Sequence, residues 1–292
     1  DVFAGLYLKE WDEPTETWTS IVDMGLSLNT EMYGYAVWAD GTAATINFSG
    51  NLNTGSMSIG VTNNVDPLSE NSGFNFVGNP YASGIDWDVD DGSGWTRNHV
   101  ANAIYIWNHD AGNYGVYVKG AGGNGTNGVT NEIPPHQGFF VYCDDDAGPG
   151  NGSGLLAVDN GARIHTGQQI LKESDSNTGF LKFGISGNNY NDETMVIINP
   201  EATYEFDSQH DAKKFNGSAG APQLFTHAED EEILSVNAIP SVSNNKTVLM
   251  GLEVGAEAFY EIGLEEMSGF NGIPIFLEDL KENNVIDLKT RS

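Results

Sequence analysis

Two stretches of the sequence carry the same pattern of aromatic residues and glycine. Trp11 and Trp18 lie seven residues apart in the first stretch, and Trp107 and Tyr114 lie seven apart in the second. Each pair is followed by a run in which glycine separates aromatic residues and then by a short apolar run; these runs are 32–38, 45–48, 136–142 and 155–158. The offset between the copies grows along the chain from 96 to 104 to 110 residues. A duplication that tolerates longer connections predicts a repeated β unit with its extra residues in loops.

The rest of the chain continues in short strand-like runs rather than helical ones. Runs rich in Val, Ile, Phe and Tyr are separated by turn residues, among them 36 glycines in 292 residues. Beyond a polar stretch at 167–177, the expected strands are 180–185, 194–198, 234–237, 247–252, 259–263 and 273–277. We therefore predict an all-β fold with a duplicated Trp- and Gly-rich module over residues 1–168. A β-sandwich or jelly-roll-like module is expected over residues 169–292.

The charge balance excludes some partners. The chain has 41 acidic and 12 basic residues, and its net charge of -29 repels phosphate backbones and anionic lipid. We therefore expect no nucleic-acid binding. No apolar stretch approaches the ~20 residues that cross a bilayer, so no membrane span is expected. Cys143 is the only cysteine, which excludes an internal disulfide, and its apolar neighbours predict a buried core residue.

Two acidic runs are candidates for calcium sites, because carboxylates near glycine can surround a hard cation. The candidate ligands are Asp86, Asp88, Asp90, Asp91, Asp144, Asp145 and Asp146. The first run departs from a helix-flanked calcium loop, since its sixth position is Asp91 and its twelfth is Arg97. The alternatives are an exposed polar strand face over a buried Trp87 for the first run and a solvated turn for the second, and we favour both.

Other site chemistry is sparse in the sequence. The six histidines lack zinc-binding helix spacing, and no nucleophile elbow, phosphate loop or dinucleotide fingerprint is present. We therefore assign no catalytic residues. Residues 120–128, which are rich in glycine, predict a surface loop. Trp95 follows Gly94 in a predicted loop and is the candidate for an exposed ligand contact, whereas Trp11 and Trp107 occupy equivalent repeat positions and predict core packing.

One segment resembles a known family of secreted proteins. Residues 73–88, GFNFVGNPYASGIDWD, resemble the Gly-Trp-Asn-Leu-Val-Gly-Asn-Pro-Tyr signature of large surface and secreted proteins of Bacteroidetes, found before a type IX secretion sorting domain. Family members continue with a Trp-centred strand, a Pro-rich turn and Gly-Phe-Phe-Val, which are similar to residues 104–108 and 133–141 here. The later half resembles the family's next module at 191–193, 206–207, 211–214, 223–225 and 277–280.

The resemblance implies a location outside the cell or on its outer surface, and a fragment of a larger protein. These modules accompany adhesins, proteases and polysaccharide-degrading enzymes, so activity does not follow from them. We expect a non-catalytic structural or adhesive region whose partner is an extracellular glycan or a neighbouring surface protein. The alternatives are a carbohydrate-binding accessory module, which predicts exposed Trp rows, and a hydrolase or lyase. Unpaired sheet edges would additionally permit self-assembly.

Overall fold

A computed structural model describes residues 6–21, 31–39, 50–64, 71–145, 152–164, 179–242, 246–270 and 272–289. Their regular structure is nearly all β, which confirms the predicted all-β fold. The strands are β1 (Leu6–Asp12), β2 (Thr17–Ser20), β3 (Ala36–Ala39), β4 (Met57–Asn63), β5 (Phe74–Gly78), β6 (Ile85–Asp86), β7 (Trp95–Asn98), β8 (Val100–Asn108), β9 (Asn113–Val118), β10 (Glu132–Ile133), β11 (Gly138–Cys143), β12 (Gly152–Val158), β13 (Phe180–Gly187), β14 (Tyr190–Ile198), β15 (Ala212–Lys213), β16 (Gln223–His227), β17 (Ile233–Ile239), β18 (Met250–Glu253), β19 (Tyr260–Ser268), β20 (Phe276–Asp279) and β21 (Asn284–Asp287). Single 3-10 turns lie at Glu13–Thr15 and Asn160–Ala162. None of the helical turns in these ranges is long and apolar enough to cross a membrane.

The predicted duplication is visible as two antiparallel hairpins. β1 and β2 place Trp11 directly opposite Trp18, and β8 and β9 place Trp107 directly opposite Tyr114. The ring centroids of the first pair are 5.4 Å apart and those of the second pair 5.1 Å apart, both edge to face. The spacing of seven residues therefore corresponds to an aromatic cross-strand pair on one face of each hairpin.

The third strand of each copy keeps the same register against its hairpin as far as Val141, after which a bulge shifts β11 against β8. β3 pairs antiparallel with β1, and β11 pairs antiparallel with β8. Lys9 lies opposite Ala36, and their equivalents at offsets of 96 and 104, Tyr105 and Phe140, lie opposite each other. The duplication thus extends to the pairing of individual residues. The apolar run at 45–48 lies outside the described residues, and its counterpart forms the end of β12.

The strand β5 joins the two copies. It pairs along β11 on one edge and, through a bridge between Val77 and Tyr33, with the first copy on the other. Gly34 and Gly138 are equivalent in the repeat, and both lie against the ring of Phe76. A Cβ atom at Gly34 would be 2.5 Å from Phe76 Cδ1, and one at Gly138 would be 2.5 Å from Phe76 Cζ. The Phe76 ring therefore fits between the two copies because each aromatic run has a glycine at this position.

The four-stranded sheet β5-β11-β8-β9 is covered on both faces. One face packs on the three-stranded sheet β4-β12-β7 and on the segment that carries Trp87, forming a core around Ile104 and Phe139. The other face carries Phe74 and Phe140 and packs on the Trp11 and Trp18 hairpin as well as on residues of the later part of the chain.

The later part is built on one seven-stranded sheet. Six strands follow the order β18-β16-β17-β14-β13-β19, and β15 pairs beside β17. The sheet curls into a half-barrel. The pairing of β14 with β17 is parallel, whereas the other ladders are antiparallel. Each of the six strands predicted beyond residue 179 overlaps an observed strand.

The two parts of the chain share a hydrophobic cluster. Met195, Phe215 and Val236 from the later part belong to the same cluster as Phe74 and Phe140 from the earlier part. The rings of Phe215 and Phe74 are stacked with centroids 4.3 Å apart. The connection at 165–178 lies outside the described residues, and the predicted division after residue 168 stays a prediction.

The substitution Gly34→Ala tests the close approach between the repeat copies. The new methyl group would meet the Phe76 ring at 2.5 Å and the Val77 carbonyl oxygen at 2.8 Å, so the strands must separate. We expect the free energy of unfolding in urea to fall by about 1–3 kcal/mol. Gly60→Ala is the matched control, because a Cβ atom there meets nothing within 4 Å. Equal effects of the two substitutions would contradict the proposed role of Gly34.

Candidate functional site

The first acidic run is held by donors of the protein itself. Asp86 accepts hydrogen bonds from the Asn131 side chain at 2.7 Å and from the Asp88 N–H at 2.9 Å. The Asp88 carboxylate is buried and accepts from the Tyr117 hydroxyl at 2.9 Å and from the Gly120 N–H at 2.8 Å. Burial, together with the charge of Asp88, raises the pKa of Tyr117, which keeps its hydroxyl protonated as a donor.

The next two carboxylates form ion pairs. Asp90 lies 2.9 Å from the Lys119 ammonium, and Asp91 lies 2.7 Å from the guanidinium of Arg97. The Arg97 side chain is only 2% exposed, and it also donates to the carbonyl oxygen of Trp87. Asp91 is thus paired with a buried arginine. Trp87 is buried as the preferred interpretation expects, but the exposed strand face is wrong, because β6 ends at Asp86 and Asp88 is buried.

The prediction that Trp95 is exposed is wrong. Its side chain is 2% exposed, and its indole N–H donates to the Asp86 carbonyl oxygen at 2.8 Å. Its ring lies edge to face with Trp87 at 4.7 Å, and the Arg97 guanidinium lies 5.2 Å from its centroid. Because Trp87 and Arg97 of the same chain pack against its ring, Trp95 is part of the core and presents no face to a ligand.

The second acidic run contacts both parts of the chain. Asp144 accepts a hydrogen bond from the Ser208 hydroxyl at 2.6 Å, and Asp145 accepts from the Ser153 N–H at 3.0 Å. Asp146 lies outside the described residues. Cys143, just before this run, is buried, and burial raises the pKa of its thiol to about 11. The thiol therefore stays protonated at neutral pH, as expected of a core residue.

Within the described ranges, no group of three or more His, Cys, Asp or Glu side chains is arranged to hold a metal ion. The six described carboxylates of the two runs instead meet hydroxyl, amide or cationic donors. Calcium binding by these residues stays a prediction.

Sequence reasoning missed a buried ion pair within the later part, to which the earlier part bonds through Asn127. The Lys214 ammonium contacts the Asp192 carboxylate, and their side chains are 4% and 1% exposed. Asp192 also accepts from the Leu224 N–H at 2.7 Å and from the Asn127 side chain at 3.0 Å. The predicted surface loop at 120–128 is thus wrong at Asn127, which is buried in this contact. The runs 191–193, 211–214 and 223–225, noted in the sequence, meet here.

A second set of amide contacts lies beside this ion pair. The Asn113 side chain is fully buried and donates to the carbonyl oxygens of Asn191 at 2.8 Å and Pro222 at 3.0 Å. Its own oxygen accepts from the Gln223 side chain at 2.8 Å. Asn113 belongs to β9, so these bonds tie the repeat hairpin to the later sheet.

Asp211 is a further buried carboxylate. It accepts from the backbone N–H groups of Ala238 at 2.6 Å and Asp207 at 2.8 Å. Burial raises the pKa of Asp211 to about 7, although the two N–H groups oppose the shift. Its role is to connect the turn at 208–210 to β17.

An open groove of ~460 Å³ lies at one end of the later sheet. Its polar lining includes Tyr204, His227, Asn237 and Lys246. The Lys246 ammonium lies 3.8 Å from the Tyr204 ring centroid and 2.6 Å from a Glu229 carboxylate oxygen. The Lys246 ammonium therefore already contacts a ring and a carboxylate. The groove presents a mixed polar surface rather than a charged cleft.

Among the described residues of the earlier part, the two most exposed aromatic side chains lie on β1 and β3. Tyr7 is 59% exposed and Trp38 is 67% exposed, and the two are direct cross-strand neighbours. The prediction that Trp107 lies in the core is wrong, because its side chain is 42% exposed, although its ring contacts that of Tyr114. The tryptophan that presents a ring to solvent is thus Trp38 rather than Trp95.

Fold and surface define an all-β protein in which an aromatic repeat is fastened to a curled sheet. The chain belongs to a family described as a domain of unknown function, DUF8693, whose model matches residues 32–292. Neither the curated proteins nor the solved structures contain a match to the chain.

The substitution Lys214→Met tests the buried ion pair. It leaves the Asp192 carboxylate buried without its cation, so we expect the free energy of unfolding to fall by about 3–5 kcal/mol. Lys246→Met is the matched control, because the carboxylate partner of that pair is 58% exposed, and it should cost at most about 1 kcal/mol. Adding Asp192→Asn to Lys214→Met should recover part of the loss in urea denaturation. A Lys214→Met cost no larger than the control would argue against the pair's role.

The raised pKa of Asp211 predicts a pH dependence of stability. Between about pH 4 and pH 7 the folded state keeps a proton that the unfolded chain has lost, so this residue makes the protein less stable as the pH rises. The loss should approach about 1.4 kcal/mol per pH unit and level off above pH 7. Urea unfolding of the wild type and Asp211→Asn from pH 4.5 to 8 isolates the effect as their difference. A difference that is constant with pH would refute it.

Proposed function

We propose that the chain is a non-catalytic structural or adhesive region of a large secreted or cell-surface protein of Bacteroidetes, exported by type IX secretion. The export route and lineage rest on the resemblance of residues 73–88 and 133–141 to the secreted family described above.

The observation that carries the structural role is the use of buried polar groups to join the two β parts. Asp192, Lys214 and Asn127 meet between the repeat and the later sheet, and Asn113 with Gln223 extends the same contact. Such groups favour one fixed arrangement, because separating them would leave a buried carboxylate and buried amide donors without partners. A rigid body with a net charge of -29 suits a soluble surface module that carries its contacts on projecting strands and loops.

Intact cells of the source organism test the location. With an antibody against the chain, we expect the signal in the medium or on the cell, where added protease removes it, and we expect a strain lacking the type IX translocon to retain it inside the outer membrane. A cytoplasmic protein that resists the protease is the control. A signal that protease reaches only after lysis would overturn the proposed location, and release of sugar ends from polysaccharide by the pure chain would overturn the non-catalytic role.

A further inference from the structure

The exposed pair of Tyr7 and Trp38 is placed to act as a contact surface. They are directly opposite on β1 and β3, so both rings are on the same face of this sheet. Their exposed fractions are 59% and 67%. Val37 points to the other face and is itself 47% exposed, whereas its cross-strand neighbour Leu8 is buried, so the exposed aromatic surface is on the face of Tyr7 and Trp38.

The repeat shows that these rings do not serve the core. At the offsets of 96 and 104 residues, the equivalents of Tyr7 and Trp38 are Ala103 and Tyr142. Ala103 is fully buried, and Tyr142 packs against the cluster shared by the two parts. The second copy thus uses these positions for packing, whereas the first copy has two large aromatic side chains in solvent. The two adjacent exposed rings are therefore available for contact with another molecule.

The neighbouring side chains suit a sugar. Lys9 follows Tyr7 on the same face of β1, and Ser20 lies opposite Lys9 on β2. Both are exposed and can bond to hydroxyl groups. Cross-strand neighbours place their Cβ atoms about 5 Å apart, so the rings form a short apolar strip bordered by polar groups. A pyranose ring has the same two features, an apolar face and a rim of hydroxyls, and stacks on aromatic rings.

The charge of the chain selects among polysaccharides. A net charge of -29 repels polymers that carry uronate or sulfate groups, and the single cation of Lys9 does not offset it. We propose that Tyr7 and Trp38 form a platform that binds a neutral polysaccharide by stacking, with Lys9 and Ser20 contacting its hydroxyls. This inference rests on the proposed extracellular role and gives that role a ligand class and a site.

Affinity electrophoresis of the full 292-residue chain tests the platform. The gels contain mixed-linkage β-glucan, xyloglucan or galactomannan as neutral polymers, and alginate or polygalacturonate as anionic ones. We expect retardation by at least one neutral polymer and by neither anionic one. Trp38→Ala and Tyr7→Ala should each weaken the binding about tenfold, since each removes one stacking ring. Phe259→Ala is the control, because that side chain is fully exposed on the other part, and it should bind like the wild type.

Two further measurements separate binding from folding and from self-association. The melting temperatures of the Tyr7 and Trp38 variants should match the wild type, because the rings lie in solvent. Sedimentation should give the same mass for all variants. The proposal is overturned by the absence of retardation in every neutral polymer, by unchanged binding of Trp38→Ala, or by a mass that falls on substitution, which would make the pair a contact between copies. The surface location of the protein, measured on cells, is unaffected by any of these outcomes.

Discussion

The ring of Phe140 is the point on which both copies of the repeat and the later sheet converge. Its centroid lies 4.7–5.9 Å from rings on β1, β2, β5 and β9 and beyond β15, which belong to Trp11, Trp18, Phe76, Tyr114 and Phe215. Most of these contacts are edge to face, the geometry that the ring quadrupole favours. Because three separate sheets contribute to this one cluster, none of them buries its aromatic face alone. The glycines at 34 and 138 follow from the same constraint, since a side chain there would displace the Phe76 ring from the cluster.

Aromatic packing alone would not fix how the two parts are aligned, because the energy of apolar contacts depends only weakly on orientation. The hydrogen bonds and the ion pair beside the cluster depend strongly on orientation and fix this alignment. Asp192 is satisfied only when Lys214, Asn127 and the Leu224 N–H reach it together, and these come from three different segments. Leaving any of them unpaired in a buried position would cost more than the bond gains, so the network selects one alignment of the later sheet on the repeat.

Sequence periodicity predicted the all-β fold and a repeated β unit, but neither the pairing of individual residues nor the polar site. The offsets of 96 and 104 residues relate residues that pair in the same way in both copies, because a hairpin register depends on local spacing. Asp192 and its partner Asn127 are 65 residues apart, and no local pattern marks such a pair. The prediction that Trp95 is exposed was wrong for a related reason. A tryptophan among glycines is typical of an exposed loop, but here Arg97, two residues on, covers it together with Trp87. Whether such a ring is buried depends on how the folded chain packs around it rather than on the composition of its neighbours in the sequence.

The duplication also explains where function can reside in a body built largely from structural contacts. Both copies begin with the same strand register, yet only the second copy provides the central sheet that is covered on both faces. Every aromatic residue of its middle strand β11 has therefore been drawn into a cluster. The first copy lies at the periphery, and besides Leu8, Trp11 and Trp18, which pack inward, its strands carry the exposed side chains of Tyr7, Val37 and Trp38. A peripheral copy of a repeat retains the rigid pairing of the core copy while its outer positions are free to acquire contacts with other molecules.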